Sequence, residues 1–175
     1  MTKILFALGW LFSLSVSALA QVQPDEKTTQ FVANVSETFL DQLVKEDFAT
    51  ERAFMTDQLA AHVSDDDWRS VRLQVIETAG RTQRYIVHGM MYYQEENLLA
   101  AVDFSGWAET SDTLVCGFML WELPEENVIG LARFEQNVVS VDVFRRMPTQ
   151  KAAKTMTNWR CPAKMIESLL GISVQ

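Results

Sequence analysis

The sequence predicts an α+β fold in which N-terminal helices pack on a four-stranded antiparallel sheet and a C-terminal helix is tethered to that sheet by a disulfide. Three observations predict it. Apolar residues between 27 and 80 recur at helical spacing. Those between 84 and 139 fall into four long aromatic and β-branched runs joined by short polar turns. Cys116 stands in one of those runs and Cys161 in the tail beyond them.

The chain opens with Lys3, an apolar run from Ile4 to Val16 and the small-residue end Ser17-Ala18-Leu19-Ala20, after which polar Gln21, Gln23, Pro24 and Asp25 follow. A basic start, an apolar stretch of about a dozen residues and an Ala-x-Ala end are the order of a secretory signal peptide. The run is shorter than the roughly 20 residues that cross a bilayer. Cleavage is expected after Ala20, with residues 21–147 forming one domain and 148–175 a helical tail.

Phe31, Val35, Phe39, Leu40, Leu43 and Val44 mark an amphipathic helix over about 27–46, with Thr28 or Thr29 as its cap. A second helix is expected from about Thr50 to His62. Ser64 then precedes Asp65, Asp66 and Asp67, which places a hydroxyl at an N-cap and carboxylates in the first turn, where free amides and the helix dipole favour them. That third helix runs through Trp68, Val71, Val75 and Ile76 to Gly80. Capping accounts for the three aspartates, and no calcium-loop spacing follows them.

The extended runs are Arg84 to Tyr93, Leu98 to Trp107, Thr113 to Glu122, and Val128 to about Val139. Connections this short make neighbouring strands antiparallel. In the third run Leu114, Cys116, Phe118 and Leu120 share one face and Val115, Met119 and Trp121 the other, so that strand is expected to be covered twice. Pro162 opens the last helix, through Met165, Ile166, Leu169 and Leu170.

Two cysteines in an exported chain of this length read as one disulfide, Cys116 to Cys161, a cross-link worth roughly 3 to 4 kcal/mol by loop-closure entropy. Removing residues 1–20 takes away Lys3 and no acid, so the net charge moves from −8 to −9. That balance argues against nucleic acid and anionic membrane surfaces as partners, since both are bound through clustered Lys and Arg. The one basic cluster is Arg145, Arg146, Lys151 and Lys154. Glycine is scarce, no phosphate-binding loop or nucleophile elbow is present, and neither a cofactor nor a metal is expected.

Three helices followed by an antiparallel sheet, with the stretches Trp68-Arg69-Ser70-Val71-Arg72 and Gly80-Arg81-Thr82-Gln83-Arg84 between them, resemble small secreted bacterial members of the nuclear transport factor 2-like, cystatin-like superfamily. The resemblance covers about residues 27–140 and implies a sheet curved into an open cone. It selects no activity, because the superfamily holds isomerases, dehydratases, ligand binders and structural modules.

Strand alternation puts Arg84, Ile86, His88, Met90 and Tyr92 on one face of the first run. If that face lines the cone, His88 and Asp103 could form an acid/base pair with the Tyr92 hydroxyl as oxyanion donor, as isomerases of the superfamily use a buried carboxylate and a tyrosine. A lone strand histidine is also an ordinary hydrogen-bonded residue. Met90, Tyr92, Phe104, Trp107, Met119 and Trp121 could line an apolar ligand pocket or form a packed core. Arg133 and Glu135 are either a solvent face or a pocket rim. The leading expectation is a periplasmic or secreted, non-enzymatic module that offers an apolar sheet face to a small ligand or protein partner. The alternatives are a small cone-fold isomerase or dehydratase using Asp103, His88 and Tyr92, and a homodimeric structural subunit.

Overall fold

The computed structural model describes residues 20–108 and 112–171; the expected signal peptide lies almost wholly outside them. Asp25 caps helix α1 (Glu26–Lys45), its carboxylate accepting from the Thr28 amide at 2.7 Å. The expected caps Thr28 and Thr29 therefore lie inside the first turn, and the Thr29 hydroxyl donates to the Asp25 carbonyl.

The single helix expected over 50–62 is two, α2 (Phe48–Ala53) and α3 (Asp57–His62). Tertiary structure breaks it. Leu131 donates its amide to the Phe54 carbonyl at 2.6 Å and accepts from the Thr56 amide at 3.0 Å, so the sheet edge takes up the backbone between the two helices. Thr56 then caps α3. Helix α4 (Asp65–Ala79) starts at Ser64, whose hydroxyl accepts from the Asp67 amide at 3.1 Å, and stops at Gly80 with φ 80°. Both ends agree with the sequence reading.

The sheet has five strands rather than four: β1 (Ala20–Val22), β2 (Thr82–Gln94), β3 (Leu98–Ala108), β4 (Thr113–Glu125) and β5 (Val128–Ser140), ordered as a simple antiparallel meander. The extra strand is short, pairing Gln21 with Tyr93 and Val22 with Tyr92. Three residues carry too little alternation to stand out in a sequence. The expected cleavage after Ala20 would leave Gln21 and Val22 of β1 in the mature chain.

The two sheet faces have different covers. On the inner face Val32, Phe39, Leu40 and Leu43 of α1 and Trp68 of α4 pack on Val102, Phe104, Val115, Met119 and Trp121. Phe104 stacks on Phe134 with ring centroids 5.5 Å apart, and Phe39 meets Trp121 edge-on at 5.7 Å. The outer face presents Leu114, Cys116 and Val139 to α5 (Val141–Arg146), α6 (Thr149–Asn158) and α7 (Ala163–Leu170), which contribute Val141, Phe144, Met156 and Ile166. Strand β4 is thus apolar on both faces and covered twice. The Cys116–Cys161 disulfide, with Cα atoms 5.1 Å apart, joins β4 to the turn between α6 and α7. Packing of β4 against β5 also dictates one glycine: a Cβ on Gly117 would lie 1.9 Å from the Glu135 carbonyl oxygen.

Candidate functional site

A β-bulge in β2 decides which side chains meet. Val87 pairs with Phe104 and Gly89 with Asp103, so residue 88 is an extra residue with no opposite number. Ahead of the bulge Tyr85 and Val87 face the inner core; beyond it the parity switches and Met90 and Tyr92 face the core. The alternation that placed His88, Met90 and Tyr92 on one face is therefore broken at His88 itself. His88 looks to the outer face and Tyr92 to the inner one.

On the outer face His88 Nε2 lies 2.7 Å from Ser105 Oγ. Ser105 is buried and sits between Ile86 and Cys116 in the ladder. Asp103, two residues before it on the same face, has a different partner: Arg160 Nε stands 2.7 Å from Asp103 Oδ1 as an ion pair, off the line of a good hydrogen bond. Arg160 has φ 58°, and this left-handed turn just ahead of Cys161 carries the guanidinium over the Phe118 ring, 4.7 Å from its centroid. Arg133 approaches the same ring at 5.4 Å and pairs with Glu135 at 2.9 Å. Of the two alternatives for Arg133 and Glu135, a solvent face or a pocket rim, this exposed ion pair on the outer face fits the first.

Burial lowers the His88 pKa below its ordinary value, aided by Lys164 and opposed by the charge of Asp103. The imidazole is accordingly neutral at pH 7. Asp103 is pushed up by burial, which the Arg160 charge and contact oppose. Tyr92 is also raised by burial, and its hydroxyl donates to Met90 Sδ at 3.5 Å on the far side of the sheet. Asp103, His88 and Tyr92 do not converge. What the outer face does assemble is a hydroxyl against a neutral imidazole, the contact from which an activated nucleophile is built.

The six residues considered for a ligand pocket also separate. Phe104, Met119 and Trp121 are fully buried in the inner core. Met90 and Tyr92 border an open hollow with Gln21, Val22, Pro24 and Thr29. Trp107 alone stands on the outer face, 51% exposed, with Ile86 38% exposed near it on β2. Trp107 flanks a cleft of about 120 Å³ whose other walls are Leu114, Val141, Arg145, Met165 and Leu169. The disulfide-tethered tail forms one side of this cleft and the sheet the other.

One cluster escaped the sequence reading. Glu51 of α2 and Arg72 of α4 are both buried, 0% and 2% exposed, and pair at 3.0 Å. The Trp68 indole N–H donates to the same Glu51 oxygen at 2.8 Å. Arg72 also donates to Gln136 Oε1 at 2.8 Å and to the Leu43 carbonyl at 3.1 Å, and Gln136 donates to the Tyr85 hydroxyl at 2.7 Å. This network ties α1, α2 and α4 to β5 and β2. The signal available in the sequence was Trp68 and Arg72 at i and i+4, one helical face on which a cation accompanies an aromatic.

Comparison of the chain with family models, with curated proteins and with solved structures finds no match.

Proposed function

We propose that this chain is an exported, non-enzymatic binding module of the periplasm or cell exterior, and that its outer sheet face holds a protein partner through Trp107. The observation that carries the reading is the half-exposed Trp107 beside the apolar cleft between β3, β4 and the tail. At about 120 Å³ the cleft is well under the roughly 300–1,000 Å³ of sites that enclose small molecules, and suits a single side chain of a partner. Exposed tryptophans next to such pockets are the residue type on which interface energy concentrates. The filled inner core supports the same choice, since the aromatic groups that could have lined a ligand cavity pack on one another. Export is supported by the signal-like start and by the disulfide. No helix among the described residues is long and apolar enough to cross a membrane. The order of helices before a sheet meander supports membership of the nuclear transport factor 2-like superfamily.

Native mass spectrometry of the mature protein from its own compartment tests this reading. A mass excess that vanishes on denaturation and is missing in Trp107→Ala is expected. A bare polypeptide mass, or an excess that survives the substitution, contradicts it; twice the chain mass would identify the partner as a second copy.

A second reading rests on the Ser105–His88 contact and makes the chain a small hydrolase-like enzyme. A fluorophosphonate that labels the protein but not Ser105→Ala would support it, and absence of labelling would remove it.

A further inference from the structure

β2 is an edge strand that the chain covers only at one end. β1 pairs antiparallel with Tyr92–Gln94, after which Pro24 and Asp25 turn the chain away into α1. Along the rest of that edge, from Gln83 to Met91, no backbone hydrogen bond arrives from outside the sheet among the described residues. An edge of this kind presents every second amide and carbonyl unpaired, and proteins usually blunt it with lysine, proline or a bulge. Here irregularities at Gln83 and His88 bound the open stretch, and Arg84–Val87 between them carries neither proline nor lysine.

A trough runs beside this stretch. Its floor and one wall are Gln83–Val87, and the other wall is the α1 face bearing Glu37, Leu40, Asp41 and Val44, enclosing about 380 Å³. A second hollow of about 610 Å³ continues past Met90 toward Thr29 and Glu26. A strand edge facing a helix across an open groove is the geometry in which an extended peptide adds to a sheet.

We infer that the Gln83–Val87 edge of β2 is a docking site for an extended basic segment of a partner polypeptide, which adds to the sheet as a further strand. The inference rests on the binding function proposed above and gives its mode. Three observations select the occupant. The chain already lays its own β1 on the same edge, so the edge accepts an antiparallel strand. Glu37 and Asp41 are exposed and carry no ion pair among the described residues, so two carboxylates stand against one lining cation, Arg84, in the trough of a chain of net charge −8. Side chains of an added strand alternate between the two sheet faces. One set would lie over Leu40, Val44 and the two acids; the other would lie beside exposed Ile86 and, one strand further in, Trp107. A segment alternating basic and apolar residues satisfies both sides.

The test is amide hydrogen exchange of the mature protein with and without the peptide acetyl-Val-Lys-Thr-Lys-Val-Lys-Thr-amide, with two control peptides. One control replaces lysine by glutamate; the other is N-methylated at every backbone amide, so neither of its edges can donate a strand hydrogen bond. The inference expects slowed exchange in the Gln83–Val87 segment with the lysine peptide alone, and affinity weakened about tenfold or more in Glu37→Lys/Asp41→Lys, whose exposed helix positions leave the core intact. No slowing in that segment, equal slowing by either control, or full affinity in the double variant overturns it. Slowing that grows with protein concentration in the absence of peptide also overturns it, because the occupant is then a second copy. The two proposals separate cleanly: a native partner lost in Trp107→Ala but no peptide effect at β2 removes only this inference, and protection at β2 with a partner indifferent to Trp107→Ala removes only the Trp107 reading.

Discussion

Arg84 in β2 is the direct cross-strand partner of Trp107 in β3, which places the exposed indole one strand in from the open edge of the sheet. The exposed aromatic and the tail cleft share the outer face, and exposed Ile86 of the edge strand lies on that same face. Because the indole is half exposed, Trp107→Ala removes little core packing. The expected cost in urea unfolding is about 1 kcal/mol or less, with partner binding abolished. A loss of about 3 kcal/mol or more would identify Trp107 as a core residue instead.

The buried Glu51–Arg72 pair should behave oppositely. Arg72→Met leaves the Glu51 carboxylate in the core without its cation, and a cost of about 3–5 kcal/mol is expected, while Glu51→Leu/Arg72→Met loses less than Arg72→Met alone. Burial raises the Glu51 pKa above 4.5 against the opposing effects of Arg72 and Trp68. A carboxyl raised in the folded state binds its proton more tightly there, so its contribution to stability is present at low pH and is lost as pH rises from 4.5 through the folded value. Urea titrations across that window should show this slope in the native chain and lose it in Glu51→Gln.

His88 reports directly on the outer face. Its pKa is lowered chiefly by burial, raised by Asp103 and lowered by Lys164. Titration of the ring by NMR should place it below 6.5 in the native chain, lower still in Asp103→Asn, and higher in Lys164→Ala. A value unmoved by Asp103→Asn would show that the two groups do not share a face. Since a depressed histidine contributes stability above its unfolded pKa, that contribution is lost as pH falls from 6.5 through the folded value.

Two glycines give a steric contrast. Gly117→Ala drives a methyl group into the Glu135 carbonyl at 1.9 Å, whereas a Cβ on Gly89 has no atom within 4 Å. Thermal unfolding should show Gly117→Ala destabilised by several kcal/mol or unfolded, and Gly89→Ala close to native.

The disulfide holds α6 and α7 to the outer face. Cys116→Ser/Cys161→Ser should cost roughly 3 to 4 kcal/mol, and exchange should accelerate first in the tail while α1 and the inner face keep their protection. Uniform acceleration would mean that the tail and the inner core unfold as one unit.

Much of the framework was legible because it is written in local chemistry. Ser64, the three aspartates after it and Gly80 mark both ends of α4, and the double-faced apolar pattern of β4 shows that it has two covers. The disulfide pairing followed from having two cysteines. What was missed depends on partners distant in the chain. The bulge at His88 exists because of how β2 and β3 register, and that one residue moved Tyr92 off the face on which alternation had put it. The break between α2 and α3 is made by Leu131, more than seventy positions later. Alternation sets Asp103 beside His88 on the neighbouring strand, while its cation comes from Arg160 in the tail. Nothing in the local sequence marks Glu51 as buried, and only the fold brings Trp68 and Arg72 around it.

The most direct test of the outer face as the working surface is site-specific photocrosslinking in the native compartment. A benzoylphenylalanine at Ile86 is compared with one at Val71, which is 55% exposed on α4. The account predicts one discrete adduct from Ile86, lost when Trp107→Ala is added, and none from Val71. No adduct from Ile86, or the same adduct from Val71, would contradict it.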